Sequence, residues 1–249
     1  IRMISQTTIG QLRDMHLGHL AEDIRERCEQ AAFAELGFDA QIELLVDKEW
    51  HRRRDRNAVD RIRAAGFCYP TANILDIDYA TERCLSKNNI SLFAECGYLV
   101  NGRNLIIMGA TGVGKTYLAC ALGVAACRAR YGCRYMRMPN LTDELAIAKE
   151  DGSFWTLIKQ YRKYPLLILD EWLFNPVTPK NIDDIFQLIE YRYSERHSTI
   201  FCTQIDTTEW MAALGEGTAA ESLIDRIIYR ADKILIKGDS MRKRLESAD

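Results

Sequence analysis

No two of the eight cysteines in this 249-residue chain stand in a C-x-x-C arrangement, so the spacing that zinc sites and redox motifs need is missing. Scattered this way, they read as buried free thiols in a reducing cytoplasm. No apolar run approaches the ~18 residues that span a bilayer. No basic, apolar, small-residue leader opens the chain either, so a membrane is not expected among its partners. The first residue is Ile1, which reads as a trimmed start. Excess charge is also lacking: 33 Lys and Arg against 35 Asp and Glu leave a net charge of -2, so only a local patch can attract a polyanion. Internal repeats and low-complexity tracts are absent. What is present is ordinary for a globular protein, 47% apolar and 27% charged. The length suffices for one large α/β core with a smaller appendage.

Against that plain background one stretch stands out. The apolar run Leu105-Ile106-Ile107-Met108 leads into Gly109-Ala110-Thr111-Gly112-Val113-Gly114-Lys115-Thr116, which meets the phosphate-loop pattern G-x-x-x-x-G-K-[ST] at every fixed position. A polyphosphate needs several backbone N–H groups turned inward, and glycines let the chain curl without Cβ clashes. Lys115 is placed to reach the β- and γ-phosphates, and Thr116 to hold Mg²⁺. The following helix points its positive end at the anion. The nucleotide-contacting stretch is expected to extend from Gly109 through Tyr117, with a nucleoside triphosphate as the ligand.

Residues 5–66 read as helical. Thr7 or Thr8 is the expected cap of a helix in which Ile9, Leu12, Leu20, Ile24 and Cys28 recur at helical spacing. His16 and His19 share a face but have no third ligand nearby, so they read as surface or cap residues. Gly37 is expected to break this helix. A second run starts near Asp39 as N-cap and carries Ile42, Leu45 and Val46 toward a core. That run turns basic: Lys48, Arg52, Arg53, Arg54, Arg56, Arg61 and Arg63, with His51, against Glu49, Asp55 and Asp60. Two readings stay open, a solvated face with internal ion pairs and a helix laid along a DNA backbone through Arg52, Arg53, Arg54 and Arg56. Nothing in the run suggests base-specific readout. Around Tyr69-Pro70 the periodicity fades. The expected domains are therefore a helical N-terminal part at 1–68, for DNA binding or oligomerisation, a linker at 69–88, and a nucleotide-binding domain at 89–249.

From Ile90 onward strands and helices alternate, the mark of a parallel sheet with helices on both faces. Strands are expected at 105–108, 134–138, 166–170, 199–203 and 234–237. Helices are expected at 115–130, 141–149, 154–163, 182–196 and 218–230. The run Leu166-Leu167-Ile168-Leu169 reads as a central strand ending in Asp170-Glu171, where parallel sheets bind ligands. Asp170 would hold Mg²⁺ directly or through water, and Glu171 could take the proton of an attacking water. At the end of another buried strand, Gln204 or Thr203 could sit beside the γ-phosphate. Arg226 and Arg242 are candidates for stabilising the negative charge of a phosphoryl-transfer transition state.

Together these residues make the chain resemble the IstB family, helper ATPases of insertion-sequence transposases, and more distantly the helicase loader DnaC. Both belong to the AAA+ ATPases. The resemblance runs through the helical N-terminal segment, Tyr69-Pro70, residues 109–116, and Leu166 to Glu171. It continues in Thr203-Gln204 with Glu209-Trp210 and in Leu223-Ile224-Asp225-Arg226, and ends in Ile236-Lys237-Gly238-Asp239-Ser240-Met241-Arg242-Lys243-Arg244. It implies that Gln204 occupies the sensor-1 position, Arg226 that of an arginine finger acting on a neighbouring subunit's ATP, and Arg242 that of sensor 2. It also implies ATP-dependent assembly on double-stranded DNA, remodelling of that DNA, and presentation of the target to a transposase. Trp172 stands where the family commonly has glycine, and Cys202-Thr203-Gln204 departs from the usual Thr-Ser-Asn or Thr-Ser-Gln.

The expected fold is thus an α/β AAA+ P-loop domain with a five-stranded parallel sheet, preceded by a small all-helical domain. The expected activity is hydrolysis of ATP to ADP and phosphate, with Mg²⁺, in a homo-oligomer that binds nucleotide between subunits. Rival readings are a helicase loader, a P-loop small-molecule kinase, and a non-hydrolysing scaffold. A kinase would carry a lid-like insertion, and none is read here.

Overall fold

The computed structural model describes residues 4–28, 30–215 and 217–241. The chain falls into two compact units, Ile1–Asn57 and Ala58–Asp249.

In the first unit α1 (Gln6–Asp14), α2 (Gly18–Cys28) and α3 (Ala31–Ala34) precede α4 (Phe38–Ala65), whose last turns belong to the second unit. The cap of α1 is Ser5, not Thr7 or Thr8: its extended backbone lets Oγ accept from the Thr8 N–H at 3.1 Å. The single helix expected through Cys28 is two, because His16 turns into the left-handed region at φ 59°, two residues before Gly18 opens the second helix. Asp39 lies within the first turn of α4 rather than capping it, where a carboxylate still complements the helix dipole. Of the three side chains expected to be inward, only Leu45 is buried; Ile42 and Val46 are exposed.

The second unit is a five-stranded sheet in the order β2-β3-β4-β1-β5, every pairing parallel. The strands are β1 (Asn104–Met108), β2 (Cys133–Arg137), β3 (Leu166–Trp172), β4 (Ser198–Thr203) and β5 (Ala231–Leu235). Alternation along each strand divides the core. Leu105, Ile107, Ile168, Ile200 and Cys202 face one side, under α5 (Lys87–Ala94) and α7 (Lys115–Arg128). Ile106, Met108, Leu167, Leu169 and Phe201 face the other, together with residues of α8 (Met138–Glu150), α9 (Phe154–Arg162) and α10 (Pro179–Ser194). That side also takes in α11 (Trp210–Leu214) and α12 (Thr218–Ile228); α6 (Gly97–Val100) precedes β1. Burying both faces explains why these strands read as unbroken apolar runs, each such side chain contributing about 1.5–3 kcal/mol. Gly123 lets α7 lie close: a Cβ there would sit 2.6 Å from the Phe67 ring.

Two helices begin earlier than expected because proline is tolerated in a first turn. These are α8, with Pro139, and α10, which starts at Pro179 behind the Thr178 cap. The last strand begins at Ala231 rather than 234, a polar start that suits an edge strand held by the Arg103–Asp232 ion pair at 2.7 Å. Ala72 is buried in the residues 69–88, and Ile74, Ile77, Tyr79 and Leu85 pack on the core beside α7. Five cysteines are buried, whereas Cys28 is half-buried and Cys68 and Cys84 are exposed, against the expectation that all eight lie inside. Among the described residues, no helix is long and apolar enough to cross a membrane.

Candidate active site

β1 delivers the chain to the loop and α7 starts at Lys115. Between them the backbone needs conformations that only glycine adopts freely: Gly112 has φ +83°, and a Cβ there would collide with Ser240 Oγ. The loop is hemmed in by the closing segment. The Ile236 N–H donates to Met108 O at 2.8 Å and the Met241 N–H to Gly112 O at 2.9 Å. Arg242, the next residue, lies outside the described residues.

Lys115 Nζ donates to Gly109 O and Ala110 O, both at 2.7 Å, folding back over the loop. Thr116 Oγ1 donates to Asp170 Oδ2 at 2.8 Å, so the two hard-oxygen candidates for a cation meet across two strands' ends. Strand order explains this. β4 lies between β1 and β3, so side chains at its end can reach the sites that β1 and β3 form. Gln204 does so: Thr111 Oγ1 donates to its Oε1 at 2.7 Å. Thr203 turns inward, buried, with its hydroxyl accepting from the Ile205 N–H at 3.3 Å. Of the two alternatives, Gln204 is the one beside the loop.

Asp170 and Glu171 are neighbours with different surroundings. Asp170 is buried, accepting on Oδ1 from the Glu171 N–H at 2.9 Å and on Oδ2 from Tyr135 OH at 2.8 Å. Burial, then the Asp170 charge, pushes the Tyr135 phenol far above its usual pKa, so it remains a donor. Glu171 is partly exposed and pairs with Arg137 at 2.5 Å. A register shift between Leu169 and Trp172 accompanies left-handed backbone at Glu171 (φ 57°) and Leu173 (φ 56°). Non-glycine residues take that conformation at a cost of roughly 1–3 kcal/mol, and such strain gathers at functional sites. What offsets it is Trp172, fully buried against Phe201 and Trp210 at ring separations of 4.8 and 5.7 Å.

Three expected residues lie elsewhere or act differently. Tyr117 turns toward the preceding segment, its OH accepting from the Asn73 N–H at 3.3 Å. Arg226 sits on α12, whose Ile227 O accepts from Asn104 Nδ2 at 3.0 Å. Asn104 opens β1 and Met108 closes it, so Arg226 is at the far end of the sheet, roughly 13 Å of strand from the loop. There it pairs with Glu190 and lies 5.0 Å from the Phe186 ring centre. Arg54 leans on Trp50, 5.3 Å from its ring centre, while Arg52, Arg53 and Arg56 share one cleft.

Two residues escaped sequence reasoning. Tyr135 carries no motif, and its only signal is a hydroxyl two residues before the end of a buried strand. Arg83 comes from an unpatterned stretch, yet it is 5% exposed with Nη2 donating to Val113 O at 2.5 Å and Nη1 to Met241 Sδ at 2.6 Å. Its Nε is buried without a partner. It therefore ties the segment before the sheet to the loop and to the closing segment at once.

Residues 10–248 match the family model described as IstB-like ATP binding protein. Similar proteins include y4pL of Sinorhizobium fredii, named as an insertion sequence ATP-binding protein, 32% identical over 97% of this chain and 98% of its own. Another, the ATP-binding protein named for insertion sequence IS1162 of Pseudomonas fluorescens, is 35% identical over 83% of this chain and 89% of its own. Among solved structures, the DnaC helicase loader matches with a TM-score of 0.60 at 21% identity, over 68% of this chain and 98% of that one. AMPPCP-bound DnaA from Aquifex aeolicus matches with a TM-score of 0.58 at 18% identity, over 72% and 54%. These two likenesses are of fold.

Proposed function

The chain belongs to the IstB-like ATP-binding family of insertion sequences, and we propose that it hydrolyses ATP at a site completed by a second copy. The observation that carries this reading is the Thr116–Asp170 contact at 2.8 Å, with Glu171 on the next residue and the phosphate loop beside it. Lys115 leaves its loop carbonyls to meet the β- and γ-phosphates, and backbone N–H groups of 109–116 cradle the rest. Thr116 and Asp170 are hard oxygen donors and fit Mg²⁺; bound there, the ion would neutralise charge on the phosphate oxygens. Glu171 takes the proton of the attacking water, which requires it to exchange its Arg137 partner. Gln204, already hydrogen-bonded to Thr111, reports the γ-phosphate to β4. Arg226, at the opposite end of the sheet from its own loop, serves a neighbour's ATP, and Arg242 acts from the closing segment.

Assembly of copies on duplex DNA, remodelling of the target and recruitment of the transposase complete the proposal. The helical N-terminal residues 1–68 contribute DNA contacts through Arg52, Arg53 and Arg56, residues 69–88 link them to the ATPase domain at 89–249, and the setting is the bacterial cytoplasm. The free thiols support that compartment. The Glu171→Gln variant is expected to hold a long-lived ATP-dependent complex with duplex DNA, read by sedimentation, while releasing phosphate at least 100-fold more slowly. Normal turnover by that variant would remove Glu171 from the mechanism. A helicase-loader reading draws on the DnaC-like fold, but the relatives' insertion-sequence names favour transposition. Capture of replicative helicase rather than transposase by the full chain would reverse the choice.

A further inference from the structure

The first unit contains a cleft of about 240 Å³ between the α1–α2 turn and one face of α4. Its walls are unusual in how their charges are used. Arg52 and Arg53 are held from behind: Arg52 Nη2 donates to the buried Asp23 at 2.9 Å and Nη1 to Glu49 at 3.2 Å. Arg53 Nε donates to Glu49 at 2.7 Å and Nη2 to His16 O at 2.6 Å. Lys48 also pairs with Asp23. These contacts lock two guanidinium groups in place and fix the turn that carries His16 and His19.

Arg56 is different. Its Nη2 meets His19 Nε2 at 3.2 Å, and it pairs with no carboxylate among the described residues. A guanidinium can only donate, so His19 Nε2 accepts and its proton is on Nδ1, facing Glu22 at 3.5 Å. The side chain of Asn57, the next residue on the same wall, is exposed and makes no hydrogen bond among the described residues. The lining therefore holds three guanidiniums against one carboxylate, Glu49. It also has a carboxamide and an arginine with donors to spare.

We infer that this cleft seats one internal phosphodiester of duplex DNA, held by Arg56 and Asn57 with Arg52 and Arg53 supplying fixed charge. Arginine forks match phosphate oxygens, and a preset pair of guanidiniums loses little entropy on binding. Arg54, on the other side of the helix against Trp50, takes no part. The inference rests on the proposed binding of duplex DNA and narrows it to a site.

The test uses the full chain with AMPPCP and a duplex, with affinity measured across a salt series. Arg56→Ala is expected to weaken binding about fivefold at 0.15 M salt and to flatten the slope of log affinity against log salt by about 0.9, the loss of one phosphate contact. Asn57→Ala should weaken it less, and Arg54→Ala should leave the slope unchanged. Helical circular dichroism checks that each variant folds, and Arg56→Gln provides a second, milder substitution. Closed circular duplex should compete as well as linear duplex per base pair; competition by ends alone would mean a terminal phosphate and overturn the assignment. If the unsubstituted chain binds no duplex, the broader DNA-binding reading falls and takes the cleft with it. If it binds and Arg56→Ala changes neither affinity nor slope, the cleft alone is refuted.

Discussion

The two ends of the sheet hold opposite kinds of chemistry. At the carboxyl end, where β1, β3 and β4 finish, Lys115 folds onto the loop carbonyls, Thr116 meets the Asp170 carboxylate, and Glu171 follows on the next residue. At the amino end the positive charges are arginines, Arg103 paired with Asp232 and Arg226 with Glu190. Arg192 is 1% exposed and spends its donors on Tyr161 O, Tyr164 O, Ser198 O and Thr199 Oγ1. Arg226 rests on Glu190 and Phe186 nearby. Burial alone pulls the Arg192 pKa down to about 9, whereas Arg226 keeps a partly exposed guanidinium. One arginine is built in, and the other is held nearer the surface by Glu190 and the Ser222 carbonyl. A single copy therefore carries the phosphate loop at one end of its sheet and a partly exposed arginine at the other, the two groups that the proposed function joins between copies.

The sharpest way to break this contrast is to disable each end separately. Lys115→Ala is expected to abolish ATP binding, a loss of at least 100-fold in affinity by calorimetry, with the melting transition preserved. Arg226→Ala should keep wild-type ATP affinity but lose ~10³-fold in turnover, the low end of what a supplied arginine contributes. Mixing the two inactive variants should restore part of the turnover, since one keeps a sound cradle and the other a sound arginine. A mixture as inactive as its components would deny that the two ends meet between copies.

Smaller effects probe how the carboxyl end is held. Tyr135→Phe removes one of the hydrogen bonds to the buried Asp170 carboxylate, a loss of about 1–2 kcal/mol. The Mg²⁺ concentration for half-maximal turnover should rise roughly tenfold while Mg²⁺-free nucleotide binding stays put. An unchanged Mg²⁺ titration would make Tyr135 a packing residue only. The smallest change expected is for Arg83→Met, which cuts the tie to Val113 O but also removes the unpartnered Nε. These contributions oppose each other, so stability should fall by only ~1 kcal/mol. ATP affinity should drop several-fold as the loop loses its brace. A variant with weaker stability and unchanged affinity would confine Arg83 to the fold.

Much of the carboxyl end was legible before any coordinates. The phosphate loop is local in sequence, its spacing dictated by how glycine backbone wraps a phosphate. Asp170-Glu171 announces itself by ending four consecutive apolar residues. The amino end was harder, since Arg226 carries no spacing that distinguishes it from any helix arginine, and only the family resemblance singled it out. Arg83 and Tyr135 were invisible because nothing in their neighbourhoods constrains them; their partners Val113 and Asp170 are remote in the chain. The basic run on α4 was legible as charge but not as function. Each residue turns about 100° around the helix axis, so Arg54 points away from the face that Arg52, Arg53 and Arg56 share. The carboxylates that hold two of them are Asp23 on another helix, for Arg52, and Glu49 on α4, for Arg52 and Arg53.

Sequence by itself determined the parallel α/β class, the phosphate loop, the acidic pair and the alternation that buries both sheet faces. Each of these depends on residues a few positions apart, where backbone geometry and hydrophobic period leave little choice. Only the tertiary structure decided the strand order that sets Gln204 rather than Thr203 beside the loop. It also decided the left-handed turn that presents Glu171 and the distance that keeps Arg226 from its own cradle. Those depend on which elements pack against which, and burial energy summed over the whole core makes that choice.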